Sequence, residues 1–69
     1  MKVSARNSLK GTVKSISVGA VSAEVVLEVA PGIEVVSIIS KTSAETLGIA
    51  EGKEAYAVIK SSDVVLAVD

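Results

Sequence analysis

Along most of this chain apolar and polar residues exchange places with a period of two. From Lys10 to Val18 the run Lys-Gly-Thr-Val-Lys-Ser-Ile-Ser-Val sets Val13 against Lys14 and Ile16 against Ser17, with one slip near Ser15. Such alternation predicts a half-buried strand, beginning near Ala5. Gly19 offers the positive φ of a tight turn, and Val21 to Val29 resumes β-branched, partly alternating character, which predicts a hairpin. Ala30-Pro31-Gly32 is the strongest turn signal, because proline presets φ at the first central position and glycine tolerates the second. A third strand, Glu34 to Ser40, follows. The period then changes: Thr42-Ser43-Ala44-Glu45 fits a capping box and Gly48 stands where a helix C-cap belongs, predicting one or two helical turns. After the turn residues Glu51-Gly52 come a fourth strand, Glu54 to Lys60, with Ala55, Ala57 and Ile59 on one side, and a fifth, Val64 to Val68, separated by Ser61-Ser62-Asp63. Five short strands with one brief helix between the third and fourth is the element order of a small all-β, five-stranded antiparallel barrel. At 69 residues there is room for one domain, 1–69, and for no second core.

Composition sharpens this picture at one point. Hydrophobic residues make up 49% of the chain and the mean hydropathy is +0.59, yet there is no Phe, no Trp and one Tyr. The core is therefore built from Val, Ile, Leu and Ala. A chain of this size buries only about 60% of the surface it exposes when unfolded, and with no Cys and no His it has neither disulfides nor zinc to hold it. Oligomerisation is the remaining route to stability, and a homo-oligomer is expected.

Charge and residue types exclude several functions. A formal net charge of -1 offers no basic surface for a nucleic-acid backbone, and single strands held on aromatic platforms would need rings this chain lacks. The absence of His and Cys removes the groups most used for proton transfer and nucleophilic attack, and there is no Gly-rich phosphate loop, so an enzyme is not expected. The apolar runs are interrupted by Ser or Glu within a few positions, far short of the roughly 20 residues that cross a bilayer. Met1 to Arg6 lacks the apolar stretch of a secretory signal, so a cytoplasmic protein with no membrane partner is expected.

Three polar groups interrupt the aliphatic sequence: Ser4-Ala5-Arg6-Asn7, Ser40 to Ser43, and Lys60-Ser61. Each supplies hydroxyls, backbone N–H groups or a cation, and none supplies a base. Groups of this kind bind an anion and do not move protons. Taken singly, each has an ordinary explanation: hydroxyls before a helix cap it, and a lone Arg or Lys usually lies on a solvated face.

The strings Ser4-Ala5-Arg6-Asn7-Ser8-Leu9-Lys10-Gly11, Thr46-Leu47-Gly48-Ile49 and Ala57-Val58-Ile59-Lys60-Ser61-Ser62-Asp63-Val64 together resemble the molbindin family of molybdate- and tungstate-binding proteins, also called Mop domains. The likeness spans essentially the whole chain. It implies an OB-like β-barrel that swaps strands into dimers and assembles into a hexamer, as a trimer of dimers, with oxyanions held between subunits. It also implies that Ser4, Ala5 and Arg6 line an oxyanion site, with Asn7 beside them holding the backbone. Ser40 and Ser43 would supply hydroxyls from the helix start, where the family often has Thr at the first position, and Lys60 and Ser61 would come from across the interface. A second kind of site, on the symmetry axis, would fall near Gly19, Ala20, Val21 and Ser22.

The implied ligand suits the residues. Molybdate is a fully deprotonated tetrahedral dianion near neutral pH, so it presents only acceptors and is matched by a cage of donors, whereas phosphate often retains a proton and wants an acceptor. Glu45, the acid nearest Ser43, is expected to cap the helix or face solvent. The function expected is intracellular storage or homeostasis of molybdate, or tungstate. The alternative is an effector-sensing module that binds molybdate and signals to a protein partner. A pterin ring is less suited, since only Tyr56 offers an aromatic face.

Overall fold

The computed structural model describes residues 1–69, in the order β1 (Asn7–Val18), β2 (Ser22–Ala30), β3 (Ile33–Ser40), α1 (Lys41–Leu47) and β4 (Glu54–Ile59), followed by a 3-10 turn at Ser61–Asp63. The strands form one antiparallel sheet in the order β3-β2-β1-β4, curled into a half-barrel. The turn chemistry explains most of the boundaries. Gly32 (φ 76) follows Pro31 between β2 and β3, Gly48 (φ 65) ends α1, and Gly52 (φ 87) sits in the turn before β4. Gly19 does not adopt the positive φ that the sequence suggests. Three residues link β1 to β2, closed by Gly19 N–H donating to the Ser22 carbonyl at 2.8 Å, and a link of that length does not force a left-handed residue.

The helix begins two residues ahead of the capping box read from the sequence. Its N-cap is Ser40, the last residue of β3, which keeps extended dihedrals (φ -68, ψ 151) while its hydroxyl accepts from the Ser43 N–H. Thr42 therefore lies inside the helix, and Glu45 is exposed rather than answering it as a cap.

β1 does the work of two strands. Residues 7–12 pair with β4 and residues 12–18 pair with β2, so the chain must bend between the two ladders. Gly11 lies at the bend, and a Cβ there would come within 2.5 Å of the Glu28 carbonyl oxygen and 2.9 Å of the Leu27 side chain. The sequence slip near Ser15 is a β-bulge: Val13 pairs with Leu27 and Ser15 with Val26, leaving Lys14 without a pairing position. Lys14 instead reaches across to Glu34, whose carboxylate holds the ammonium pKa above its usual 10.5, with Glu28 adding a smaller pull in the same direction.

The inner face carries Val13, Val25 and Leu27, the buried cluster, with Ile16, Val29, Ile39, Ile49, Ala55 and Ala57 packed around it. Ala55, Ala57 and Ile59 alternate inward along β4 as the sequence predicts. Yet only 5 of 69 residues are fully buried, and the accessible surface is 5393 Å², against roughly 4,000 Å² for a compact monomer of this mass. Between the unpaired edges of β3 and β4 runs an open groove of about 530 Å³, lined by Val35, Ile39, Leu47, Ile49, Ala57 and Ile59 among 12 hydrophobic residues of 13.

The expected fifth strand is not formed. Val64 to Val68 lies beyond the 3-10 turn, outside any ladder, with Val65, Leu66 and Val68 at 90%, 88% and 98% exposure. Five consecutive apolar residues read as a strand, but a strand exists only against a partner edge, and this segment does not pair with the sheet of its own chain.

Replacing Gly11 by Ala places Cβ against backbone atoms that no rotamer change relieves, so a loss of about 1–3 kcal/mol is expected in urea unfolding. Gly19→Ala, where Cβ would meet the Ser22 carbonyl at 3.3 Å, should cost less; equal losses would refute the role assigned to the bend. Because the folded Lys14 pKa is raised, its pair with Glu34 contributes fully below pH 10.5 and is lost as pH rises through the folded value. The stability difference between the native chain and Glu34→Gln should accordingly shrink at strongly alkaline pH.

Candidate functional site

The β1–β4 ladder decides which polar residues meet. Asn7 pairs with Ile59 at its end, so the residues leading into β1 and those leaving β4 emerge side by side. Asn7 reinforces this junction by donating its side-chain amide to the Ile59 carbonyl at 3.3 Å. Its side chain thus secures backbone, as expected, and does not line the cleft beyond. Past the junction the two segments enclose a cleft of about 580 Å³, with Ser4, Ala5 and Arg6 on one side, Lys60, Ser61 and Ser62 on the other, and Val58 as its apolar member.

No carboxylate lines this cleft. None of the side-chain hydrogen bonds or ion pairs within the chain engages Ser4, Arg6, Lys60, Ser61 or Ser62. Two cations therefore face one space with three hydroxyls and no counter-charge. Bringing like charges together is unfavourable unless an anion stands between them, and the guanidinium fork and the ammonium then act in complementary ways, one directional and one a point charge. The groups that line the cleft, two cations and three hydroxyls, are those that hold an anion by charge and hydrogen bonds.

The helix-start hydroxyls lie elsewhere. Ser40 pairs with Ser22 at the far end of the sheet, while the cleft opens at the start of β1; eleven residue steps of strand separate the two ends, on the order of 35 Å along the backbone. Ser40 is also committed: it accepts from the Ser43 N–H at 3.0 Å and donates to the Ser43 Oγ at 2.7 Å. The hydroxyl proton of Ser43 is the one left to give. Gly19, Ala20 and Val21, the exposed β1–β2 connection, and Ser22, which opens β2, lie beside this helix start, joined to it by the Lys41 N–H donating to the Val21 carbonyl at 2.9 Å.

Within one chain Lys60 and Ser61 share a cleft with Ser4, Ala5 and Arg6, and Ser40 and Ser43 are not among the residues that line it. The reason is the ladder: β4 returns antiparallel along β1, so the late Lys-Ser string must end where the early Ser-Ala-Arg string begins. Ser62 and Val58 also line the cleft without a signal in the sequence: Ser62 reads there as part of the separator Ser61-Ser62-Asp63, and the 3-10 turn brings it to the cleft.

A curled antiparallel half-barrel with one short helix and a donor-lined cleft defines an OB-like oxyanion-binding type of module. The TOBE domain family model matches residues 3–66, and the chain belongs to that family. Among its relatives, molybdenum-pterin-binding protein 3 of Clostridium pasteurianum is 58% identical over 66 residues, covering 96% of this chain and 97% of that protein. MopII from the same organism, solved in an apo form, superposes with a TM-score of 0.91 at 52% identity, covering 97% of this chain and 100% of that one. The cytoplasmic molybdate-binding protein ModG, solved with molybdate bound, superposes with a TM-score of 0.94 at 48% identity over 100% of this chain and 49% of its own.

Ser40→Ala removes the helix cap, and a loss of about 0.5–2 kcal/mol is expected. Asn7→Ala should cost about 0.5–1.5 kcal/mol, the range of one ordinary hydrogen bond. Thermal unfolding of both variants without added anion measures these; an Asn7→Ala chain as stable as the native one would remove its role at the junction.

Proposed function

We propose that this chain is a non-catalytic molybdate-binding protein, able to take tungstate by the same chemistry, and that it serves storage or homeostasis of the oxyanion in the cytoplasm. The observation that carries the reading is the cleft: Arg6, Lys60, Ser4, Ser61 and the Ala5 backbone converge with donors that have no partner of their own and with no acid among them. A tetrahedral dianion is the complement of such a set, and monohydrogen phosphate, whose proton meets no carboxylate here and only hydroxyl oxygens, is less well matched. The names borne by the relatives, molybdenum-pterin-binding and molybdate-binding, support the same ligand. No helix is long and apolar enough to cross a membrane, and the description of ModG as cytoplasmic supports the location.

The working unit is an oligomer. The half-barrel lacks one strand, its groove is apolar, and Val64 to Val68 is an apolar segment without a partner. The tail of one copy fills the groove of a second and closes its barrel between β3 and β4, as a strand-swapped dimer. Because Leu47 and Ile49, at the end of α1, line that groove, the swap carries the cleft of one copy toward the helix of the other. The partner's Ser40 and Ser43 then approach from outside, Ser43 with its free hydroxyl proton. Ile33, Val36 and Ile38 remain exposed along β3 and supply the further contact for a hexamer built as a trimer of dimers. At Gly19, Ala20, Val21 and Ser22 a second oxyanion site requires several copies, since this loop offers little beyond backbone N–H groups and one hydroxyl.

Titration calorimetry with molybdate at physiological salt should show saturable binding, with phosphate far weaker. Arg6→Ala and Lys60→Ala should each lose about 1.5–3 kcal/mol of binding energy, the worth of a hydrogen bond to a charged group, with assembly intact. No heat with the native protein would overturn the reading. Ending the chain after Asp63 should yield a destabilised monomer in sedimentation, and a native-sized oligomer from that truncation would overturn the swap.

A further inference from the structure

We infer that Ser62 is a direct ligand of the anion and the residue that reads its size, an inference that rests on the molybdate-binding reading above. Ser62 lines the same cleft as Arg6 and Lys60. It is exposed and its hydroxyl makes no hydrogen bond within the chain, so it is free to meet a ligand in the cleft. The 3-10 turn that carries it is closed by other groups, Asp63 N–H donating to the Lys60 carbonyl at 2.9 Å and Val64 N–H to the Ser61 carbonyl at 3.3 Å. The Ser62 side chain is thus free of the turn it belongs to.

Its neighbour makes the assignment informative. In a 3-10 turn successive residues project about 120° apart, yet Ser61 and Ser62 both line one cleft. Two hydroxyls that leave the turn in different directions yet line one cleft are placed to address different oxygens of a bound anion. A larger tetrahedral oxyanion, with its oxygens farther from the centre, meets both at once. A smaller one that settles against Arg6, Lys60 and Ser61 leaves Ser62 unmet. Ser62 therefore adds to the affinity for molybdate more than to that for sulfate, which shares its charge and shape and differs mainly in size.

The test is calorimetric titration of the native protein, Ser62→Ala and Ser62→Thr with molybdate and, separately, sulfate at matched ionic strength. Ser62→Ala should weaken molybdate binding roughly tenfold or more, the loss of one hydrogen bond to a charged group, and sulfate binding much less. Ser62→Thr, which keeps the hydroxyl, should retain the molybdate affinity. Thermal unfolding without anion should be unchanged in both variants, separating ligation from folding. Unchanged molybdate affinity in Ser62→Ala overturns the inference, and an equal loss for both anions overturns the size-reading role. Absence of molybdate binding by the native protein overturns the underlying function together with it, an outcome distinct from either.

Discussion

An aliphatic sheet that stops one strand short of closure is the constraint from which the other features of this molecule follow. Four strands curl far enough to bury Val13, Val25 and Leu27 but leave a groove between β3 and β4 whose walls are almost wholly apolar. The segment of matching character, Val64 to Val68, is left exposed to water. At about 25 cal/mol per Å² of apolar surface, leaving both exposed forgoes a large share of the stability a domain of this size can command. Aromatic side chains might have filled such a gap from within; a chain with one Tyr and no Phe or Trp has only small aliphatic groups to offer. The surface excess over a compact monomer is the same fact seen from outside.

The cleft obeys a separate rule, electrostatic rather than hydrophobic. Eight acids are distributed along the chain, yet none lines the cleft, and the two ion pairs engage Lys10 and Lys14 on exposed strand surface instead of Arg6 or Lys60. Cations left without internal partners keep their full capacity for an external anion. Had either been paired within the chain, an incoming oxyanion would have had to displace a carboxylate before gaining anything.

The two rules meet at the end of β4. Val58 lines both the apolar groove and the polar cleft, and the turn that presents Lys60, Ser61 and Ser62 leads directly into the unpaired tail. The apolar groove, the polar cleft and the start of the unpaired tail thus share one short stretch of backbone.

The residues on their own determined the strand spans, the Pro31-Gly32 turn, the Gly48 cap, the slip beside Ser15 and the inward face of β4, because each is written in local dihedral preference or in a period of two. They also supplied the hydroxyls, backbone N–H groups and cations that make an anion the expected ligand, although each group taken singly has an ordinary explanation. Two local readings failed for reasons of context: the helix takes its cap from the last residue of β3, and Gly19 sits in a connection long enough to need no positive φ. What only the tertiary structure decided is grouping. Antiparallel return of β4 along β1 sets Lys60 and Ser61 beside Arg6, adds Ser62, and leaves Ser40 and Ser43 at the opposite end; and an apolar run such as Val64 to Val68 cannot declare itself a strand, because pairing is a property of two edges and the sequence describes one.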